Sequence, residues 1–475
     1  MASCYLALDQ GGHASRAILF DAAGEKLDEA FAPIATHRDA GGDIVEHDPA
    51  ELIDSLRRVI AGVGARARAA GHDIVAAGLA TQRSSMACWS RSTGTALSPV
   101  ISWQDRRNAA WLQTLEPRRG WIRERTGLVL TPHYGASKMR WCLDHLPAVR
   151  AAAAAGELVM GPLASFIVFS LTREHALLAD PANASRTQLW DPRRQDWSED
   201  LLALFGLPRA ALPACVTSRH AFGTLEVAGV PVPLTVVTGD QSAVPFAFGA
   251  LDPAAAYVNA GTGAFAQRAL RDQLPDAPRL LASVVWSDAA GVDYMLEGTV
   301  NGAGSAFEWL AAREGLPAAA LIAAAEAQAP GGAPPLFLNG VSGLGAPYWV
   351  GGFEPRFVGA GSPAERALAV LESIVFLLVV NLDELRAHGP PLRRIVLTGG
   401  LAASRLFCQR LADLSGLPVW RSDEPEATGR GLAWLTAGRQ EAWPVTGTDF
   451  LPPADALLAA RFTRWRAALE AALPA

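Results

Sequence analysis

Apolar and polar positions along this chain follow two periods in alternation, a period of two in short runs and a period near 3.6 in longer ones. Tyr5–Asp9 is a short apolar run that ends in the segment DQGGHAS, and Arg16–Asp21 reads as a second strand. The AAGEKL that follows reads as a turn into a third strand. Asp48 then supplies an N-cap and Pro49 a first helical residue, after which Leu52, Ile53, Leu56, Val59, Ile60 and Val63 line one helical face. Ile74–Leu79 returns as a strand. Strands alternating with helices predict an α/β architecture.

The second half repeats the plan without repeating the letters. AAYVNAGTGAFAQRAL reads as a strand, a Gly-Thr-Gly turn and a second strand, and RRIVLTGGLAAS as a buried strand running into a Gly-Gly turn and a helix. The stretch VVTGDQSAVPFAFGALDP closes the first half, so two domains are expected, at 1–248 and 249–475. Ala-rich 151–155 and the Ala/Pro/Gly-rich stretch 317–335 read as helix and loop punctuation. The most apolar later run, Ile374–Val380, lies between Glu372 and Asp383 and falls short of the roughly 20 apolar residues of a membrane span, so it reads as a buried helix.

Composition narrows the function. A chain of 475 residues, half hydrophobic and 19% charged, suits a two-domain globular protein. Its net charge of −6 is spread out, which leaves no electrostatic footprint for nucleic acid or an anionic membrane. The five cysteines (Cys4, Cys88, Cys142, Cys215 and Cys408) have no metal-like spacing and read as buried small hydrophobes in a reducing compartment. The opening strand is not preceded by a basic region and an apolar stretch, so a cytoplasmic location is expected.

Three glycine-bearing loops stand at strand ends: Gly11-Gly12, Gly261-Thr262-Gly263 and Gly399-Gly400. A glycine lets backbone N–H groups approach an anion, although each of these taken alone also reads as a plain turn. Together, in a duplicated α/β plan, they point to a nucleotide held between two halves. Asp9 ends the first strand beside the first glycines, either as a turn-forming residue or as a carboxylate that holds Mg²⁺, directly or through water, with the metal bridging phosphate oxygens. Asp240 follows the buried run LTVVT and stands between Gly239 and Gln241, a setting in which a carboxylate needs a chemical reason.

Eight segments run in order from end to end: DQGGHASRA (9–17), WQDRRNA (103–109), SKMRWCLDH (137–145), GDQSA (239–243), NAGTGAF (259–265), LEGTVNGAGSAFEWL (296–310), GLGAPYW (343–349) and LTGGLAAS (397–404). Through them the chain resembles the FGGY carbohydrate kinases, and most nearly their glycerol kinase branch. The resemblance implies two ribonuclease-H-like (actin-type ATPase) lobes that close over ATP and Mg²⁺, and transfer of the γ-phosphoryl to a hydroxyl of a small polyol or sugar. It makes the first domain the substrate-binding and catalytic one and the second the nucleotide-binding one. It implies Asp240 as the base and Gln241 as a substrate partner, with Arg83, Trp103 and Phe265 at the polyol. Gly11, Gly12, His13 and Arg16 fall at the first phosphate loop, Gly261 and Thr262 at the second, Gly304 on the nucleotide side, and Gly399, Gly400 and Ser404 on the adenosine side.

Two departures qualify it. Related kinases carry hydroxyl residues where this chain has Gly12, His13 and Ala14, and only Ser15 and Arg16 continue their pattern. Backbone N–H groups, Arg16 and a protonated His13 either compensate, or His13 merely fills the loop. Glycerol kinases also follow the substrate-loop Arg with Glu and place Tyr before the K-x-R-W helix; here Ser84 and His133 stand there, with Tyr134 beside them. Losing a carboxylate removes a strong acceptor and leaves more room, so the expected substrate is glycerol-like, a four- or five-carbon polyol, or a ketose. The expected partners are that substrate and a second copy of the chain in a homodimer. A catalytically weak sugar-binding or regulatory protein is the alternative, and a chaperone- or actin-like ATPase a third reading that has no use for WQDRR.

Overall fold

The computed structural model describes residues 3–328, 334–438, 441–453 and 455–474. The first sheet contains β1 (Ser3–Gln10), β2 (Ala14–Asp21), β3 (Lys26–Pro33), β4 (Asp73–Thr81), β5 (Arg219–Val227) and β6 (Val230–Gly239), with helix α1 (Pro49–Ala69) between β3 and β4. Its strand order is β5-β6-β4-β1-β2-β3. Strands β1, β4 and β6 are parallel, and the β1–β2–β3 meander and β5 run antiparallel to their neighbours. Helix α1 begins where the sequence places it: the Asp48 side chain accepts from the N–H groups of Ala50 and Glu51, and the six expected apolar residues are buried.

The second sheet contains β7 (Ala255–Ala260), β8 (Ala264–Arg271), β9 (Leu281–Asp288), β10 (Gly291–Val300), β11 (Arg394–Thr398), β12 (Val419–Ser422) and β13 (Gly447–Phe450). Its order, β9-β10-β8-β7-β11-β12-β13, reproduces the first sheet and adds β9 at one edge. Again three central strands are parallel, with β7, β11 and β12 taking the places of β1, β4 and β6. The outer antiparallel strand differs in its connection: β5 precedes β6 in the chain, whereas β13 follows β12. The duplicated layout expected from the glycine turns is thus a duplicated sheet.

Ile374–Val380 lies in α4 (Pro363–Arg386, numbered after α2 at Gly135–His145 and α3 at Gly304–Glu314), which is buried against the second sheet. Glu372, the acid that bounds this run, is itself buried and held by Arg461 at 2.6 and 2.8 Å. Among the described residues no helix is long and apolar enough to cross a membrane. Ala-rich 151–155 caps a short helix, Pro147–Ala154; in the 317–335 stretch Ala318–Glu326 is helical, and 329–333 lies outside the described residues. All five cysteines are free thiols, four of them buried.

Both faces of the first sheet are covered, which is why Leu6, Ala7 and Leu8 are buried in succession. Leu6 and Leu8 pack with α1, while Ala7, Ile18 and Phe20 pack with Leu432, Ala433 and Leu435. Those last residues belong to α6 (Ala427–Thr436), which follows α5 (Arg405–Ser415) in the second half of the chain yet lies on the first sheet. Glycines permit this close approach: a Cβ on Gly431 would run into the Ala243 carbonyl oxygen, and one on Gly78 into the Thr436 hydroxyl. Ala243 lies one helical turn past Asp240, so α6 also braces the segment that carries that carboxylate. Replacing Gly431 with Ala is therefore expected to cost about 1–3 kcal/mol of stability and to lower catalytic turnover, read from denaturant unfolding and from kcat on the same preparation.

Candidate functional site

The parallel strands of both sheets end at one cleft. Asp240 follows β6 directly, and its Oδ1 accepts the Gln241 N–H at 2.6 Å. The absence of a side chain at Gly239 lets Arg83 lie against it, since a Cβ there would stand 2.5 Å from the Arg83 Cγ and Cδ atoms. Burial raises the Asp240 carboxyl above its ordinary value, and Arg83, the Gln241 N–H and Arg186 counter that rise.

Arg83 and Arg186, both from the first half, converge on Glu297 of β10. Arg83 Nη2 stands 3.7 Å from Glu297 Oε2 and Arg186 Nη1 stands 3.7 Å from Oε1. Glu297 is 2% exposed and accepts from Gln267 Nε2 at 2.8 Å. Burial works to raise its pKa, but Arg186, Arg83 and Gln267 outweigh burial and hold it below the ordinary carboxylate value. Burial, then the Arg186 charge, lower Arg83 in turn.

An aromatic wall stands beside these charges. Trp103 is 38% exposed, with its ring centroid 5.5 Å from that of His133, and His133 meets Tyr134 edge-on at 4.9 Å. Arg186 lies over the Tyr134 ring at 5.3 Å. Burial first, then Arg186, Lys138, Arg83 and Arg106, push His133 well below the ordinary imidazole value, so it is neutral at pH 7. Lys138, on α2, reaches back to donate to the carbonyls of Ser84 at 3.2 Å and His133 at 2.5 Å. It thereby fixes the loop in which Ser84 adopts φ +66°. His133, Tyr134, Arg186, Phe265, Glu297 and Thr299 share a cavity of about 450 Å³.

On the other side of Asp240 a cavity of about 190 Å³ is lined by Asp9, Arg16, Gln241, Asn259, Gly399 and Glu426. Burial, then the Asp240 charge, raise Asp9 to about 7, against the lowering effect of Arg16. Arg16 is shared, because it pairs with Glu426 and stands 3.5 Å from Glu29. The Asp9 carboxylate accepts no hydrogen bond among the described residues, and no cluster of three candidate metal-binding side chains exists among them. Such a carboxylate fits a Mg²⁺ that takes one protein ligand and completes its shell with water and phosphate oxygens.

The glycine turns border the same cleft. Gly11 N–H donates to the Ala14 carbonyl at 3.0 Å, closing a tight hairpin in which His13 is exposed. Ser15, the surviving hydroxyl, faces away and bonds Ser55 of α1 at 2.8 Å. In the second loop Thr262 is exposed at the tip, and its carbonyl accepts from Ser305 N–H at 3.0 Å while Gly261 accepts from Gly304 N–H at 2.8 Å. Gly399 has φ +95° and packs so tightly on Ala260 that a Cβ would come within 2.6 Å of that carbonyl oxygen. Gly400 faces open space, whereas Ser404 is buried, capping α5 through Phe407 N–H and donating to Glu326 at 2.6 Å. Of the expected site residues, Ser404 alone is thus turned inward with its hydroxyl engaged.

Comparison with known proteins agrees with this geometry. The model for the N-terminal domain of the FGGY family of carbohydrate kinases matches residues 4–259, and that for the C-terminal domain matches 256–438. The chain belongs to the FGGY family of carbohydrate kinases. Glycerol kinase of Bordetella parapertussis is 38% identical, covering 98% of this chain and 96% of its own length; that of Citrifermentans bemidjiense is 37% identical, covering 90% and 89%. Among solved structures, Plasmodium falciparum glycerol kinase with ADP superposes with a TM-score of 0.91 at 22% identity, covering 100% of this chain and 99% of that one. Xylulose kinase from Rhodospirillum rubrum gives 0.85 at 22% identity, covering 98% of each chain. The chain is a carbohydrate or polyol kinase with the two-lobed actin-like ATPase fold, and kinases of its family use ATP with a divalent metal.

Sequence reading did not single out Lys138, Arg186, Gln267 or Glu297. Three of them lie inside segments already singled out: Lys138 in SKMRWCLDH, Gln267 in AAYVNAGTGAFAQRAL and Glu297 in LEGTVNGAG. The usable signal was a charge embedded in an otherwise apolar setting. In WQDRR, Asp105 and Arg107 turn out to be scaffolding with buried side chains, Asp105 accepting Val45 N–H at 2.7 Å, while Arg106 lines the cavity and Trp103 stands exposed beside His133.

The Asp9 pKa carries a consequence for stability. It is raised from an unfolded value near 4 to about 7, so ionising it opposes folding, and stability is lost as pH rises from about 4 to 7. Without divalent metal, Asp9→Asn is expected to melt higher than the wild type, by a margin that grows from pH 4 to 7 and then levels off. Thermal melts across that range check this, and a pH-independent difference would contradict it.

Proposed function

We propose that this kinase transfers the γ-phosphoryl of ATP to a hydroxyl of a small polyol or sugar of three to five carbons, with Asp240 as the general base. The observation that carries the reading is the position of Asp240: directly after β6, with Arg83 packed on the glycine before it, its neighbour Gln241 lining the Asp9 cavity, and its charge felt by Asp9. An acceptor held against Trp103, His133 and Phe265 would present one hydroxyl to Asp240, with Arg83 and Gln241 donating to its neighbours. The raised affinity of Asp240 for a proton suits a base that takes the hydroxyl proton late. Arg83 and Arg186 on its flank act against that rise and favour the carboxylate form.

Residues 11–14, the turn at Gly261–Gly263 and the open face of Gly400 would receive the nucleotide through backbone N–H groups, since Gly12, His13 and Ala14 offer no hydroxyl. A Mg²⁺ at Asp9 would supply charge neutralisation for the phosphates. Neutral His133 and the uncharged Ser84 leave the acceptor side with fewer fixed charges than a carboxylate at position 84 would give, which favours neutral acceptors of more than one size.

Asp240→Asn is expected to lower kcat about 10²–10⁴-fold with little change in acceptor KM, measured as ADP formed against a panel of polyols and ketoses. Acceptor binding without turnover, in the wild type as in the variant, would instead favour a sugar-binding or regulatory protein, the reading that the altered first loop suggests.

A further inference from the structure

We infer that Thr299, Glu297 and Arg186 form a second hydroxyl-binding subsite, which makes a four- or five-carbon polyol or ketose the preferred acceptor rather than glycerol. The inference rests on the kinase reading above and adds the substrate class.

Strand register builds the subsite. β8 and β10 are antiparallel neighbours with Phe265 opposite Thr299 and Gln267 opposite Glu297. Residues two apart share a face, so these four side chains form one patch of the second sheet. Phe265, Glu297 and Thr299 of that patch line the cavity that His133, Tyr134 and Arg186 line from the first half of the chain.

Several polar atoms here are buried and make no hydrogen bond within the chain: Glu297 Oε1, Arg186 Nε and Nη1, Thr299 Oγ1 and, on the substrate loop, Ser84 Oγ. Arg186 is 5% exposed and Glu297 2%. Their mutual distance of 3.7 Å is an electrostatic contact, too long for a hydrogen bond. Buried polar groups are ordinarily satisfied, and leaving one unmade is costly. Donors and acceptors arranged around a cavity beside a phosphoryl-transfer base match vicinal hydroxyls, each of which donates once and accepts twice.

The geometry also says which part of the acceptor they meet. Arg83 packs on Gly239 next to Asp240 and stands 3.7 Å from Glu297, so one guanidinium separates the base from this patch. A three-carbon acceptor that offers a hydroxyl to Asp240 and another to Arg83 has one left, whereas a tetritol or pentitol extends past Arg83 and supplies the patch with the partners it lacks.

The test is a steady-state comparison of glycerol, erythritol, threitol, xylitol and ribulose on the wild type, Thr299→Val and Thr299→Ser. At least one four- or five-carbon acceptor is expected to exceed glycerol about tenfold in kcat/KM. Thr299→Val is expected to raise KM for that acceptor about five- to tenfold, the equivalent of one ordinary hydrogen bond, with glycerol changed less than twofold. Thr299→Ser keeps the hydroxyl and should retain the preference, which separates lost bonding from lost packing. Glycerol preferred by the wild type, or an equal effect of Thr299→Val on all acceptors, overturns the subsite and leaves the kinase reading standing. Failure to phosphorylate any acceptor overturns both.

Discussion

The interaction on which the cleft depends is the ion cluster of Glu297 with Arg83 and Arg186. A carboxylate at 2% exposure is costly unless charges of opposite sign accompany it, and removing one member of such a cluster strands the others. Here the acid comes from the second sheet and both bases from the first half of the chain, so the cost is met only when the two lobes face each other. Arg83 also packs on the residue before Asp240. The position of that carboxylate relative to the second lobe is therefore tied to the same cluster. Gln267 completes the arrangement by fixing one oxygen of Glu297, which leaves the other toward the cavity.

Duplicated sheets give this cluster its setting. Parallel central strands direct their carboxyl ends to one side, and α/β sheets place ligands there. Each sheet starts with a hairpin over a glycine turn, at Gly11 and at Gly261, so both lobes bring backbone to the cleft by the same device. The lobes are further joined by α6, which crosses back to seal the outer face of the first sheet. Glycines on both sides of the contact matter, because Gly78 of β4 admits Thr436 and Gly431 of the helix admits the Ala243 carbonyl, where no side chain fits.

The sequence announced the elements better than their partners. The apolar runs at 5–9 and 16–21, and the Asp48-Pro49 start of α1, were legible because hydrophobic runs and capping are local physics. That α6 serves the first sheet was not legible, since an apolar face declares that it will be buried and never against what. The same division holds in the site. Asp240 stood out as a carboxylate directly after a buried strand, and the glycine turns stood out as strand ends. Glu297 and Arg186 did not, because a buried charge can be understood only with its counter-charge, and theirs lies more than a hundred residues away in sequence. Ser404, placed on the adenosine side by the resemblance, has a local role that the sequence did not announce: its hydroxyl caps a helix and donates to Glu326.

Electrostatics divides the cleft into two unlike halves about Asp240. On the acceptor side, the charges of Asp240 and Glu297 are met by Arg83 and Arg186, Arg106 and Arg119 line the cavity as well, and His133 is neutral, so neither carboxylate there lacks a counter-charge. A neutral, hydroxyl-rich molecule can enter without bringing a counter-ion and can satisfy donors and acceptors alike. On the other side, Asp9 faces Glu426 and the charge of Asp240 with, among the described residues, Arg16 to offset them, and Arg16 is already paired. A bare polyphosphate would be repelled there, whereas the same phosphates accompanied by a divalent cation would relieve the excess. The raised proton affinity of Asp9 expresses that excess: without metal, a proton takes the place a cation would otherwise fill. Two carboxylates in one cleft thus differ in what they can serve, Asp240 by virtue of its arginines and Asp9 by the lack of one of its own.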